Sequence, residues 1–254
     1  MMWLLRTLVA AGLLLAPGSR QAITVMGATS LTAYARAVIE PWARAHANVQ
    51  VALSGGGSYA GWYAMKAGQA DIALCDLRFD PGTAFYERGL GKMPVLFIAN
   101  PSDGIRNVSR SSLRRVFHGQ IKNWRELGGH NQWVRMVVRP VGSGARAVVA
   151  QSLGVSADGP AQVVQLSNGA VVRAVQETPG AIGYVEGDHA WPGVIALKVN
   201  GQSYQAKPGK WPFYAWPRIY WPVRASSAVI SLAHALSQSP RRSSFSLITR
   251  VNPP

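Results

Sequence analysis

Arg139-Pro-Val-Gly-Ser-Gly-Ala-Arg146 sets a guanidinium beside a Ser-Gly turn, at the point where a β-branched run ending at Val138 gives way to a small-residue stretch of helical spacing. That grouping can hold a small oxyanion. Glycines let backbone N–H groups turn toward a ligand, a helix start adds partial positive charge, and an arginine fork supplies planar charge-assisted hydrogen bonds. Gly27-Ala-Thr-Ser30 and Ser54-Gly-Gly-Gly-Ser58 have the same character, each placing hydroxyls and amides between a strand pattern and a helix pattern. Every one of these residues also has an ordinary role. Thr29 and Ser30 would cap a helix in any protein, Ser58 suits a glycine turn, and an arginine at a strand end is usually solvated charge.

The elements that would position these loops are legible in outline. Strands are expected over 22–26, 49–53 and 71–75, the last ending at Asp76. Helices are expected from Gly27-Ala-Thr-Ser30 to about Ala47, interrupted at Pro41, and over 59–66. Strand, anion-friendly loop and helix thus occur twice in about 45 residues, which implies a parallel α/β sheet with its ligand outside the carboxyl ends of the strands. Further on, 94–99 reads as a buried-type strand stopping at Asn100-Pro101. Residues 109–117 read as a helix capped by Ser109, 134–138 as a strand, 145–153 and 168–176 as helices, and 179–184 as a turn into a strand. Prolines and tryptophans crowd 207–222, and an amphipathic helix is expected over 228–237.

Composition narrows the function class. The chain has 254 residues and 48% hydrophobic content, enough for two lobes or one large α/β domain. Residues 1–22 read as a secretory signal, with Arg6 closing a basic start and an apolar run over 7–16 that is too short to span a bilayer. Ala16 and Gly18 suit a cut after Gly18, whereas a cut after Ala22 leaves Arg20 poorly placed. An exported, periplasmic protein is therefore expected. Cys75 is the only cysteine, so no intramolecular disulfide can form, and its expected role is that of a small apolar strand residue. The formal net charge of +15 attracts anions of any kind, but the basic residues are scattered and the tryptophans are not interleaved with them, which argues against nucleic acid. The five histidines lack zinc-binding spacing and no Gly-x-Ser-x-Gly elbow is present. No metal, cofactor or catalytic residue is expected.

Taken in order, the loops resemble those of the periplasmic phosphate-binding proteins of ABC transporters, a branch of the type II substrate-binding superfamily. Gly27-Ala-Thr-Ser30 resembles the family's first phosphate loop, Ser54-Gly-Gly-Gly-Ser-Tyr-Ala-Gly61 its second, and Arg139 with Gly142-Ser-Gly144 its third. Asp71-Ile-Ala-Leu-Cys-Asp76 is similar to the strand ending in a ligand-facing aspartate. Leu113-Arg-Arg-Val-Phe-His-Gly-Gln-Ile-Lys-Asn-Trp124, with Leu127-Gly-Gly129 after it, is the most specific match, and Pro179-Gly-Ala-Ile-Gly-Tyr-Val185 is a further signature. The resemblance implies an α/β fold of two lobes, each a mainly parallel sheet flanked by helices, joined by two crossovers and closing on the ligand by a hinge. It divides the chain into a signal over 1–22, one lobe of 23–99 with 217–254, and a second of 100–216.

The resemblance also implies a site of Thr29, Ser30, Ser58, Asp76, Arg139, Ser143, Gly144 and Ala145 around inorganic phosphate, in a monomeric protein that serves an ABC permease. Asp76 would accept a hydrogen bond from a protonated phosphate oxygen, a bond sulfate cannot make. Trp124 is expected to pack beneath a turn rather than touch ligand. Two positions depart from the family pattern. Ala145 stands where a threonine is frequent, and Val141 where some members carry an acidic residue two places after the arginine. Two alternatives follow: a divergent module for another oxyanion or for sensing, and a dinucleotide-binding oxidoreductase using Gly55-Gly-Gly-Ser-Tyr-Ala60 with Asp76 about twenty residues on.

Overall fold

The computed structural model describes residues 20–155, 162–187, 191–206 and 208–238. The signal expected over 1–22 therefore lies outside the described residues up to position 19. From the first half of the chain come β1 (Gln21–Gly27), α1 (Thr32–Ala45), β2 (Val49–Gly55), α2 (Ser58–Lys66), β3 (Ile72–Cys75), β4 (Phe85–Gly89), β5 (Met93–Ala99), β6 (Asn107–Val108) and α3 (Arg110–Phe117). The second half adds β7 (Arg135–Val138), α4 (Gly144–Leu153), β8 (Gln162–Val164), α5 (Asn168–Glu177), β9 (Ala181–Glu186), β10 (Ile195–Ala196), β11 (Lys198–Val199), β12 (Tyr214–Ala215), β13 (Arg218–Pro222) and α6 (Ser227–Ser237).

Local chemistry accounts for most of the helices. In α1, Tyr34, Ala35, Ile39 and Trp42 turn inward at helical spacing, and the helix runs through Pro41 instead of breaking there. Pro41 removes the bond to the Ala37 carbonyl, but both residues are solvent-exposed, so water can take that carbonyl while the inward face holds the helix together. Ser109 caps α3 as expected, its hydroxyl accepting from the Ser112 amide at 2.9 Å. Trp124 is fully buried, and its indole N–H donates to the Gly180 carbonyl at 3.0 Å, which ties the turn at 124–127 to the start of β9.

Long-range pairing sorts the strands into two main sheets. The first has the order β2-β1-β3-β13-β4, in which β2, β1 and β3 are parallel and β13 runs antiparallel to both neighbours. The second has the order β10-β5-β9-β7-β8, with β12 also on β5. There β9, β7 and β8 are parallel and β5 is antiparallel to β9. A small third pair joins β6 and β11. The first sheet packs an apolar core with α1 and α6 on one face and a smaller one with α2 on the other, and the second sheet packs its core with α3, α4 and α5. These are the two α/β lobes.

The division between the lobes differs from the expected one. Residues 93–99, placed by sequence at the end of the first lobe, form β5 and pair with β9 in the second sheet. All seven residues of β5 are buried, Met93 in the core of the first lobe and Val95 to Ala99 in that of the second. The first crossing therefore lies between Gly89 and Met93 rather than at Ala99-Asn100. The return crossing falls between β12 and β13, near the expected place, and the two crossings lie side by side, with the Leu90 amide donating to the Pro217 carbonyl at 2.8 Å.

Candidate functional site

Two pairs of parallel strands, one pair from each sheet, end at the line where the lobes meet. β1 leads into Thr29 and Ser30, β3 into Asp76, β7 into Arg139, and β9 ends on Glu186. The carboxyl ends of parallel strands are where α/β folds hold their ligands. Nine polar or charged residues are buried among the described residues, and six of them gather here: Ser30, Ser58, Asp76, Arg139, Ser143 and Glu186. Burying that many polar groups is costly unless they bond to one another or to a ligand.

On the first lobe, Ser30 donates its hydroxyl to Asp76 Oδ2 at 2.7 Å, and the Asp76 amide donates to Ser58 Oγ at 2.9 Å. Three sequence-predicted residues thus form one chain of hydrogen bonds from the helix start to the strand end. On the second lobe, Arg139 Nη1 donates to Asn168 Oδ1 at 2.8 Å and stands 3.7 Å from Glu186 Oε2. Asn168 is itself fixed, because its amide nitrogen donates to the Glu186 carbonyl at 2.9 Å. The Arg139 amide donates to the Tyr184 hydroxyl at 3.2 Å, and Arg146 donates to the Arg139 carbonyl. Arg146 therefore braces Arg139.

Among the contacts that cross between the lobes, three bear directly on the site. Arg139 Nη2 donates to Thr29 Oγ1 at 2.8 Å, and the Ser58 amide donates to the Gly142 carbonyl at 3.2 Å. The third is steric. A Cβ added at Gly144, the first residue of α4, would fall well inside contact with Asp76 Cβ, 3.0 Å from Asp76 Cγ and 3.1 Å from Glu186 Oε1. Only glycine permits that approach. Arg139 is consequently not an open fork: its η nitrogens are held by Thr29, Asn168 and the Leu166 carbonyl.

What stays unmatched at this junction is a mixture of donors and acceptors. Arg139 Nε and the Ser143 hydroxyl on one side, and Asp76 Oδ1 and both Glu186 carboxyl oxygens on the other, are buried without a well-formed hydrogen bond, although the two carboxyls stand close enough to share a proton and the Ala145 amide is directed at Glu186. Ser143 holds the N-cap position of α4 but makes no side-chain cap, while Gly144 and Ala145 are buried at the first turn. Burial pushes the Asp76 carboxyl up to about 6, against the lowering effect of the Ser30 hydrogen bond. Burial lifts Glu186 well above the ordinary carboxylate range, the neighbouring Asp76 charge adds to this, and Arg139 opposes it. Two carboxyls beside one guanidinium cannot both ionise cheaply in a dry site.

The structure thus gathers all eight predicted positions, Thr29, Ser30, Ser58, Asp76, Arg139, Ser143, Gly144 and Ala145, at one junction. Three participants escape the sequence reading: Asn168, which reads only as a helix start, the Tyr184 hydroxyl, and Glu186. Glu186 carries a signal that could have found it, since it directly follows Val185 of the quoted signature and puts a carboxylate at the end of an otherwise apolar strand. Val141 is exposed, and the carboxylate beside Arg139 comes from β9 instead. The dinucleotide alternative loses its donors. The Gly57 and Ser58 amides are taken by the carbonyls of Gly27 and Gly142, and Asp76 is buried against Ser30.

Two α/β lobes, paired crossings and a polar junction at the strand ends together define a solute-binding protein of the two-lobed class. Residues 16–208 match the family described as the PBP superfamily domain, and the chain belongs to that superfamily. It is 27% identical over 207 residues to the phosphate-binding protein PstS of Bacillus subtilis, spanning 78% of this chain and 69% of that one. Among solved structures it is similar to a Clostridium perfringens protein described as a phosphate ABC transporter substrate-binding protein with bound phosphate, at TM-score 0.76, 20% identity, and coverage of 85% and 93% of the two chains. An ABC-type phosphate transport receptor from Vibrio cholerae superposes at TM-score 0.70 with 23% identity, covering 90% of this chain and 97% of that one.

Proposed function

We propose that this chain is an exported solute-binding protein that captures inorganic phosphate between its two lobes and delivers it to an ABC permease, without catalysing any reaction. The observation that carries this reading is the mixture of unmatched groups at the junction: donors from Arg139 and Ser143, acceptors from Asp76 and Glu186. A protonated oxyanion presents both kinds of partner, whereas sulfate presents only acceptors and would set lone pairs against the carboxyls. In this reading Thr29 and Ser58 supply hydroxyls, Ser30 holds Asp76 in place and offers its amide, and Gly144 and Ala145 supply the first amides of α4. Arg139 supplies the fixed charge and Asp76 the test for a proton. The relatives described as binding phosphate support the same ligand. Export would use the leader at the chain start. A cut after Gly18 leaves β1 whole, whereas a cut after Ala22 removes its first two residues.

Isothermal calorimetry with phosphate and sulfate tests the reading. Saturable phosphate binding is expected, with sulfate weaker by up to about 10⁴–10⁵-fold. Equal binding of both anions, or heat with sulfate and none with phosphate, refutes it. A different oxyanion is the second reading, and Ala145, which brings no hydroxyl to the third loop, favours it; arsenate and other oxyanions in the same titration series distinguish the two.

A further inference from the structure

We infer that the face of the second lobe built around α3 is a docking surface for an anionic lipid bilayer, separate from the anion site and independent of the phosphate reading. Between Asp103 and Glu126 the chain carries six cations, Arg106, Arg110, Arg114, Arg115, Lys122 and Arg125, and no acidic residue. All six are exposed. None forms an ion pair among the described residues. The two acids that bound the run are already engaged. Asp103 is buried and accepts from the Gly180 amide at 2.6 Å, and Glu126 accepts from the Lys122 and Asn123 amides at 3.1 Å each. Like charges gathered without counter-charge repel one another, and an anionic surface relieves that repulsion.

The fold joins these residues into one surface. α3 buries Leu113, Val116 and Phe117 in the core of the lobe, which turns Arg110, Arg114 and Arg115 outward. At the start of the helix the Arg110 amide donates to Asn200 Oδ1, and its guanidinium braces the Ser152 carbonyl at the end of α4. There β11 pairs with β6, which brings exposed Lys198 next to Arg106. At the other end the Gln120 amide donates to the Arg115 carbonyl, and the chain runs on to Lys122 and the turn that holds Arg125. Trp133 adjoins this stretch through the backbone: the Val134 amide donates to the Lys122 carbonyl, and Asn123 pairs with Trp133. Trp133 is 66% exposed, more than any other tryptophan among the described residues.

A bilayer suits this combination of groups. The cations are spread over a helix face, a strand pair and a turn, an arrangement that meets many phosphates in a plane, and arginine forks take lipid phosphates in bidentate fashion. An exposed indole beside a basic cluster settles at headgroup depth, where an aromatic body with one polar edge is favoured. α3 itself stays out of the apolar layer, because its apolar side is packed in the lobe core. The contact is therefore electrostatic, with one aromatic anchor.

Co-sedimentation of the full chain with vesicles of phosphatidylcholine alone, and of equal parts phosphatidylcholine and phosphatidylglycerol, tests the inference at low ionic strength. The parent should bind the anionic vesicles and not the neutral ones. Each cation near such a surface changes partitioning about fivefold, so Arg114→Gln/Arg115→Gln/Lys122→Gln should bind about 100-fold more weakly, and Arg115→Gln alone about fivefold. Arg36→Gln/Arg44→Gln/Arg88→Gln removes the same charge from exposed positions on the first lobe and should bind within about threefold of the parent, since charges on the other lobe are screened from the bilayer. Equal losses in the two triple variants would assign binding to net charge alone and overturn the inference, as would equal binding of both vesicle types. Trp133→Ala should lose binding at unchanged net charge, and a match to the parent overturns its place at the headgroups. No vesicle binding by the parent, with retention on heparin that depends on Arg114, Arg115 and Lys122, would assign the patch to a soluble polyanion and overturn the lipid assignment. Calorimetric phosphate titration of the first triple variant should match the parent. Failure of every chain to bind phosphate would remove the phosphate reading and leave the vesicle result standing.

Discussion

Gly144→Ala separates closure of the lobes from stability of the fold. The added methyl meets Asp76 of the opposite lobe, 3.0 Å from its Cγ and closer still to its Cβ. Asp76 follows a fully buried strand and is held by Ser30, so it cannot easily retreat. Overpacking of this kind costs about 1–3 kcal/mol. Within α4 the same substitution is neutral to slightly favourable, because Gly144 is the first residue of the helix, where the advantage of alanine in a helix interior is only partly felt. Gly144 has no positive φ to resist it. The two effects act on different equilibria: the helix gain is present wherever the second lobe is folded, and the steric cost arises only when the lobes meet. Phosphate affinity measured by calorimetry should therefore weaken by about 5- to 150-fold, the equivalent of 1–3 kcal/mol. The melting temperature of the ligand-free variant should match the parent or rise. Unchanged affinity would show that capture does not bring Gly144 against Asp76. A matched loss of affinity and stability would show that the damage is to α4 instead. Either result refutes the reasoning.

Other substitutions test the same site and its support. Arg139→Ala leaves two buried carboxyls without their cation and should weaken phosphate binding by about 30- to 5,000-fold in the same titration; a loss under tenfold would remove Arg139 from the site. Asp76→Asn replaces an acceptor with a group that can also donate, so the preference for phosphate over sulfate should shrink, and an unchanged ratio would separate Asp76 from discrimination. Trp124→Ala removes a fully buried indole bonded to Gly180 and should cost about 3–5 kcal/mol in denaturant unfolding; a cost under about 1 kcal/mol would mean that the turn does not depend on it.

Elements governed by near neighbours along the chain are legible in the amino-acid sequence. The cap at Ser109, the strand-loop-helix order around Gly27–Ser30 and Ser54–Ser58, and the third loop at Arg139 each depend on residues a few positions apart, where propensity and hydrogen-bonding type act directly. Pro41 misleads because its effect depends on which face of α1 it occupies, and that face is set by packing. β4 and the two-residue strands β6, β10, β11 and β12 leave no trace in the sequence pattern, since segments so short carry no periodicity of their own. The expected place of β5 is wrong for a related reason. Its apolar run requires cover on both faces but does not say from which lobe.

The amino-acid sequence by itself determined which chemical groups stand at the ends of the strands: hydroxyls at 29, 30, 58 and 143, a guanidinium at 139, a carboxylate at 76. Local rules suffice for that, because a loop after a strand is written in consecutive residues. Only the tertiary structure decided that these groups face one another, joining Arg139 to Thr29 across 110 positions and setting Glu186 beside Asp76. The physical reason is burial. A carboxylate at a strand end is ordinary solvated charge until a second lobe covers it, and the proton balance on which anion selection depends exists only once both lobes have removed the water.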